Sequence, residues 1–252
     1  MSIKIIHNEP IKLDIPKFLC DDNPIGKHLN DSWLPLINCY SFFCVIGRPG
    51  QGKTSLAISL MTQKKPKIFK KCFHHNIIIM PSNSIASLKN NPFEKLQDVY
   101  NELNDDTINE IYNKIQSYST NDEKTILFID DMTADLKKTK FIIDTLKRII
   151  FNRRHLKTVI IITAQSYVNL PLDVRKNINN LILFKPSKKE MGIIFDELME
   201  TKKDKWPDIM RCVYNEPHNF LFLNVPNQRM FKNWDELIIK DDDSDDEIEI
   251  TK

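Results

Sequence analysis

Glycine is scarce in this chain, with 5 in 252 residues. Three of them, Gly47, Gly50 and Gly52, fall in one short turn, so that turn calls for its own explanation and not for a generally loose backbone. Cysteine is sparse as well. Cys20, Cys39, Cys44, Cys72 and Cys212 show no C-x-x-C spacing, and one would be left over after any pairing, which argues against a disulfide framework and for reduced thiols in a cytosol-like compartment. A structural zinc built on Cys72, His74 and His75 lacks a second close cysteine pair. No apolar run approaches the roughly 18 residues that a spanning helix needs, and residues 1–7 have neither an apolar core nor a small-residue cleavage site, so nothing read here directs the chain into or across a membrane. Internal repeats are missing. What remains is an ordinary hydrophobic content of 41%, enough for one α/β core with decorated ends.

The formal charge of +2 conceals a segregation, because residues 241–249 alone hold seven acids. Without residues 241–252 the body has 35 basic and 27 acidic residues, or +8. A basic body tolerates a nucleic-acid polyanion, and a run of like charge is expected to be disordered; a solvated surface with a solubilising tail fits the same numbers.

The organising stretch begins with the apolar run 42–46, breaks into Gly47-Arg48-Pro49-Gly50-Gln51-Gly52-Lys53-Thr54-Ser55, and resumes at helical spacing through Leu56, Ile58, Leu60 and Met61. The spacing G-x-x-x-x-G-K-T in a strand–turn–helix setting reads as a phosphate-binding loop. The glycines let backbone N–H groups turn inward to form a nest for a polyphosphate, held by residues 47–55. Lys53 is a mobile charge for the β and γ phosphates, expected to face solvent and ligand, and the Thr54 hydroxyl suits a place on Mg²⁺. The following helix offers its positive end to the anion.

Downstream, residues 76–82 carry an unalternating apolar run, Ile77 to Met80, of the kind found in strands buried on both faces, stopped by Pro81. Apolar residues at helical period over 93–117 predict helices, the lysines at 64, 65, 67, 70 and 71 offer either a DNA path or an exposed connection, and residues 1–40 are expected to be an irregular flank. Residues 125–129 are an apolar strand running into Asp130 and Asp131, the Walker B form. In an open α/β sheet the carboxyl ends of strands carry the ligand, which places Asp130 to hold the metal and Asp131 to orient or deprotonate the attacking water. A helix over 139–151 leads through Arg153 and Arg154 into the apolar run 158–166, and Gln165 at its end is expected to emerge between the loop and the Walker B acid. Arg154, at the strand's other end, is remote from its own nucleotide and suits a neighbouring subunit's site as a finger in trans, with Arg153 and Arg175 as lesser candidates. A short helix at 171–177, a strand at 180–186, a helix over 188–200, a segment over 206–214, and a hairpin pairing 219–225 with 228–234 complete a domain expected over 41–239, with an acidic tail over 240–252.

The Walker A residues 47–54, the double acid 130–131, Arg154-His155 before a strand ending in Thr163-Ala164-Gln165, and the Leu170-Pro171 to Asn177 run together resemble the genome-packaging ATPases of large double-stranded DNA viruses and virophages, the poxvirus-type branch of the FtsK–HerA superfamily. The likeness spans residues 40–190, about. It implies a RecA-like core with a mostly parallel central sheet flanked by helices, ATP and Mg²⁺ as cofactors, double-stranded DNA and viral capsid proteins as partners, and a homo-oligomeric ring, hexamer or pentamer. It implies residence in the host cytoplasm at the viral factory, or in the virion, without membrane insertion. The family's loop lysine and hydroxyl fall on Lys53 and Thr54, its Walker B acid on Asp130, its strand-terminal sensor on Gln165 and its catalytic acid on Asp131, where many relatives carry glutamate. The alternative, a P-loop kinase acting on a small substrate, calls for an arginine-bearing lid, and residues 188–205 are lysine-rich without arginine. A non-hydrolysing, nucleotide-gated assembly protein sits poorly with the intact Asp130-Asp131 pair.

Overall fold

Runs of apolar residues without polar alternation are satisfied by strands covered on both faces, and such runs make the middle of this molecule. The computed structural model describes residues 40–64, 68–200 and 203–239. The flank expected over 1–40 lies outside them except for Tyr40, as do Lys65, Pro66 and Lys67 of the lysine cluster and the acidic tail over 240–252.

In chain order the elements are β1 (Phe42–Ile46), α1 (Lys53–Thr62), β2 (His75–Ile79), α2 (Ser82–Ala86), β3 (Val99–Tyr100), α3 (Asp105–Thr120), β4 (Thr125–Asp130) and α4 (Lys140–Asn152). They continue with β5 (Thr158–Ala164), α5 (Leu172–Arg175), β6 (Asn180–Phe184), α6 (Lys188–Leu198), α7 (Trp206–Val213), β7 (Phe220–Asn224), β8 (Arg229–Lys232) and β9 (Asp235–Glu236). The strands join in one sheet in the order β3-β2-β4-β5-β1-β6-β7-β8-β9. From β3 to β6 every pairing is parallel, and the three C-terminal strands add antiparallel to β6. This is an α/β fold of the RecA-like P-loop type, and the C-terminal hairpin expected from the sequence is present, extended by β9.

Side chains alternate between two cores. Phe42, Cys44 and Ile46 face one core with Ile108, Ile111, Leu146, Ile149, Ile194 and Phe195 from α3, α4 and α6, while Phe43 and Val45 face the other with Ala57 and Leu60 of α1. The central strands are buried throughout, so they hold rigidly whatever projects from their carboxyl ends.

The helical reading of 93–117 is right only in its second half. The Asn104 side chain accepts from the Thr107 N–H and caps α3, so the helix starts at Asp105. Upstream, Val99 and Tyr100 pair instead with Ile78 and Ile79 as an edge strand, where an aromatic and a β-branched residue suit a half-covered ladder. The single turn α2 has no counterpart among the sequence expectations.

Candidate active site

Buried β1 delivers the chain into the glycine turn. The Gly47 N–H donates to the Ala164 carbonyl at 3.1 Å, and a Cβ on Gly47 would lie 2.8 Å from both Phe184 Cβ and Gln51 Oε1, so the close approach of loop and β6 excludes a side chain there. Gly50 and Gly52 have φ of 79° and 97°, the left-handed geometry that turns successive N–H groups to one side. Gly52 caps α1 without a side-chain acceptor and the first turn carries no acid, leaving the helix's leading N–H groups and positive end for an anion. Arg48, Pro49, Gly50 and Ser55 are exposed, while Gln51, Gly52 and Thr54 are partly covered.

Lys53 departs from expectation. It does not face solvent but is 7% exposed, folded along the loop with Nζ donating to the Arg48 carbonyl at 3.2 Å. Burial lowers its pKa, and the carboxylates of Asp131 and Asp130 oppose that. Gln51 Oε1 accepts from the Arg48 N–H at 2.6 Å, so the loop's own side chains hold its shape.

The order β4-β5-β1 brings the acids beside this loop. Asp130, 1% exposed, pairs in register with Thr163, which pairs on its other side with Val45. Asp130 Oδ1 accepts from the hydroxyls of Thr54 at 2.8 Å and Thr163 at 2.7 Å. The Thr163 oxygen accepts in turn from the Asp131 N–H at 3.0 Å, and Gln165 Nε2 donates to Asp131 Oδ2 at 2.8 Å. A continuous chain therefore runs from the phosphate loop through both acids to the strand-terminal amide. Burial raises the Asp130 pKa, opposed first by the two hydroxyl bonds. Asp131 has φ of 51°, so the backbone leaves β4 in a left-handed turn that swings this carboxylate out of the strand direction. Thr54 and Asp130 offer converging hard oxygens next to the nest, a donor set that fits Mg²⁺.

Thr163 is the residue that sequence reasoning passed over. Its signal was a hydroxyl in an apolar strand, one place before the end, but which acid it meets depends on the register of β4 against β5. Glu190, also unforeseen, accepts from Ser166 Oγ at 2.7 Å and the Tyr167 N–H at 2.6 Å, pinning the turn that follows Gln165 to α6.

The arginines separate by environment. Arg153 caps α4, with Nη1 donating to the Ile150 carbonyl at 2.8 Å and Nη2 to Asn179 Oδ1 at 2.9 Å, the same oxygen that accepts from the Phe42 N–H. Arg175 pairs with Glu197 at 3.0 Å and lies over the Tyr167 ring. Arg154 is exposed, in the turn before β5, at the opposite end of that strand from Gln165. Of the three zinc candidates, Cys72 donates to the Ile68 carbonyl, His74 accepts from the Lys124 N–H, and His75 pairs with Glu123 and stacks on Tyr118. No helix among the described residues is long and apolar enough to cross a membrane.

The family model described as ATPase family associated with various cellular activities (AAA) matches residues 43–186. No curated protein matches the chain. Among solved structures, the genome packaging NTPase B204 from Sulfolobus turreted icosahedral virus 2, in complex with AMP, is similar over 78% of this chain and 98% of its own at 18% identity, with a TM-score of 0.54. B204, the DNA-packaging ATPase from Sulfolobus turreted icosahedral virus, is similar over 77% of this chain and 97% of its own at 17% identity, with a TM-score of 0.56. EssC (ATPases 2 and 3) from Geobacillus thermodenitrificans is similar over 81% of this chain and 41% of its own at 15% identity, with a TM-score of 0.51. At these identities the likeness is one of fold.

Proposed function

The chain belongs to the AAA family of ATPases, and from that premise we propose that it is a genome-packaging motor, one that hydrolyses ATP to move double-stranded viral DNA into a preformed capsid. The observation that carries this reading is the hydrogen-bonded chain Thr54–Asp130–Thr163–Asp131–Gln165, which ties the phosphate loop to an amide at the end of a buried central strand. Such an amide reports a lost γ phosphate to the rest of the domain, which is what a motor has to do and what a simple nucleotide-binding module does not. Lys53 and the nest of residues 47–55 hold the triphosphate, Asp131 positions and deprotonates the water, and Gln165 orients that acid. Thr54 and Asp130 would hold Mg²⁺, which when bound would supply neutralisation of phosphate charge.

The fold shared with two packaging NTPases supports the same reading, as does the net charge of +8 outside residues 241–252, suited to phosphate contacts with DNA of any sequence. The motor acts as a homo-oligomeric ring, a hexamer or pentamer of the poxvirus-type branch, meeting capsid proteins at the viral factory in the host cytoplasm or in the virion. Arg154 serves the neighbouring subunit's nucleotide. The test is the ATPase rate with and without double-stranded DNA at several salt concentrations. Stimulation that is independent of sequence and lost with rising salt is the expected result; hydrolysis indifferent to DNA at every salt would retain the ATPase and discard the motor.

A further inference from the structure

A cleft of about 260 Å³ opens beside the phosphate loop, on the flank away from the two acids. Its walls are Gln51 of the loop, Phe184 and Lys185 at the end of β6, and the segment 214–219 between α7 and β7. None of the residues in that segment belongs to the loop or the acid pair, and the chain of hydrogen bonds through Thr163 does not reach them.

The sheet order fixes what this cleft faces. β1 lies between β5 and β6, and the acids and Gln165 are all on the β5 side. A triphosphate lying across the nest with its terminal phosphate toward Asp130 and Asp131 therefore has its other end on the β6 side, where the cleft begins. The approach is close: a Cβ on Gly52 would stand 3.8 Å from His218 Nδ1 and 3.9 Å from Phe184 Cζ.

The segment 214–219 is held in place before any ligand arrives. The Tyr214 hydroxyl donates to the Leu183 carbonyl at 2.8 Å and anchors the segment to β6. Asn219 donates to Asn215 at 3.0 Å and accepts from Asn233 of the C-terminal hairpin at 3.1 Å. His218, with φ of 64°, presents an exposed ring to the cleft mouth and makes one contact with the loop, Nδ1 to the Gln51 carbonyl at 3.2 Å. A carbonyl only accepts, so Nδ1 carries the proton, and in the neutral ring Nε2 is left as an acceptor.

We infer that this cleft takes the nucleoside of the bound nucleotide, with the purine base of ATP stacked on His218. The inference rests on reading residues 47–55 as the phosphate loop. A flat heteroaromatic base matches the ring of His218 and the aromatic floor at Phe184, and its polar edge matches the amide of Asn215 and Nε2 of His218. The bond from His218 to Gln51 makes the same residue a contact between the base and the loop that holds the phosphates.

The experiment compares calorimetric binding of ATP and of inorganic tripolyphosphate, each with Mg²⁺, by the full chain. The variants are His218→Asn, in which asparagine tolerates the left-handed backbone while removing the ring, and Asn215→Tyr, which fills the cleft from another wall. In both, ATP affinity should fall about tenfold or more, the worth of one base stack, while tripolyphosphate affinity stays within about twofold of wild type. Retained tripolyphosphate binding also certifies that a variant is folded. Unchanged ATP affinity in the two variants, or an equal loss for both ligands, would overturn the inference and leave the phosphate loop standing. A wild-type chain that binds neither ligand would bring down the loop reading and this one together.

Discussion

Gln165 donates through Nε2 to Oδ2 of Asp131 at 2.8 Å, across the 34 residues that separate them. The amide thus orients the carboxylate from the end of β5. Asp131→Asn should retain ATP binding and slow hydrolysis by roughly 10²–10⁴-fold, the usual contribution of a positioned base. Single-turnover kinetics beside a binding isotherm checks this; loss of binding with normal chemistry would exchange the roles of Asp131 and Asp130.

Lys53→Ala should abolish turnover by removing the cation expected to track the β and γ phosphates. Because the lysine is buried against the loop and bonded to the Arg48 carbonyl, the substitution should also lower stability by about 1 kcal/mol. A drop of roughly 2–4 °C in melting temperature is expected for a chain of this size. Wild-type turnover in this variant would remove the basis of the ATPase reading of the site.

Thr163→Val keeps the shape of a fully buried side chain but deletes the oxygen shared between Asp130 and the Asp131 N–H. The cost should be about 1–3 kcal/mol, from a donor and an acceptor left unmatched. Turnover should fall with little change in KM, and Thr163→Ser should restore most of both. Denaturant melts and steady-state kinetics on the pair decide whether the hydroxyl or merely the volume matters.

Arg153 and Arg154 are neighbours with different expected phenotypes. Arg153→Ala should destabilise by about 2–3 kcal/mol, because its guanidinium joins the end of α4 to Asn179 beside β1. Arg154→Ala should retain ATP binding and lose most hydrolysis in the assembled state. Mixing Arg154→Ala with Lys53→Ala subunits should recover activity at interfaces that pair an intact loop with an intact arginine. No recovery in assemblies verified as mixed would refute action in trans.

The unalternating runs at β1, β2, β4, β5 and β6 were legible because burial on both faces leaves a strand without polar alternation, and the glycine turn because so few glycines occur elsewhere. Asp130 was legible from its place at the end of such a run. Val99 and Tyr100 were misread because two residues at helical spacing from their neighbours also suit a short edge ladder, and only the presence of β2 decides between them. Thr163 depended on strand register, and His218 on a contact with a residue 167 positions away, neither of which local pattern encodes. The burial of Lys53 was hidden for a related reason, since a long flexible side chain finds its resting place only once the loop exists.

At both margins of the sheet the outermost strand among the described residues, β3 or β9, is two residues long. A margin that short offers an incoming chain almost no ladder of unpaired amides to extend. Through the described residues, copies that met there would share almost no backbone ladder, and contact between them would run through side chains on helices and turns. In the proposed ring, a joint of that kind would slip and re-form without unzipping either subunit.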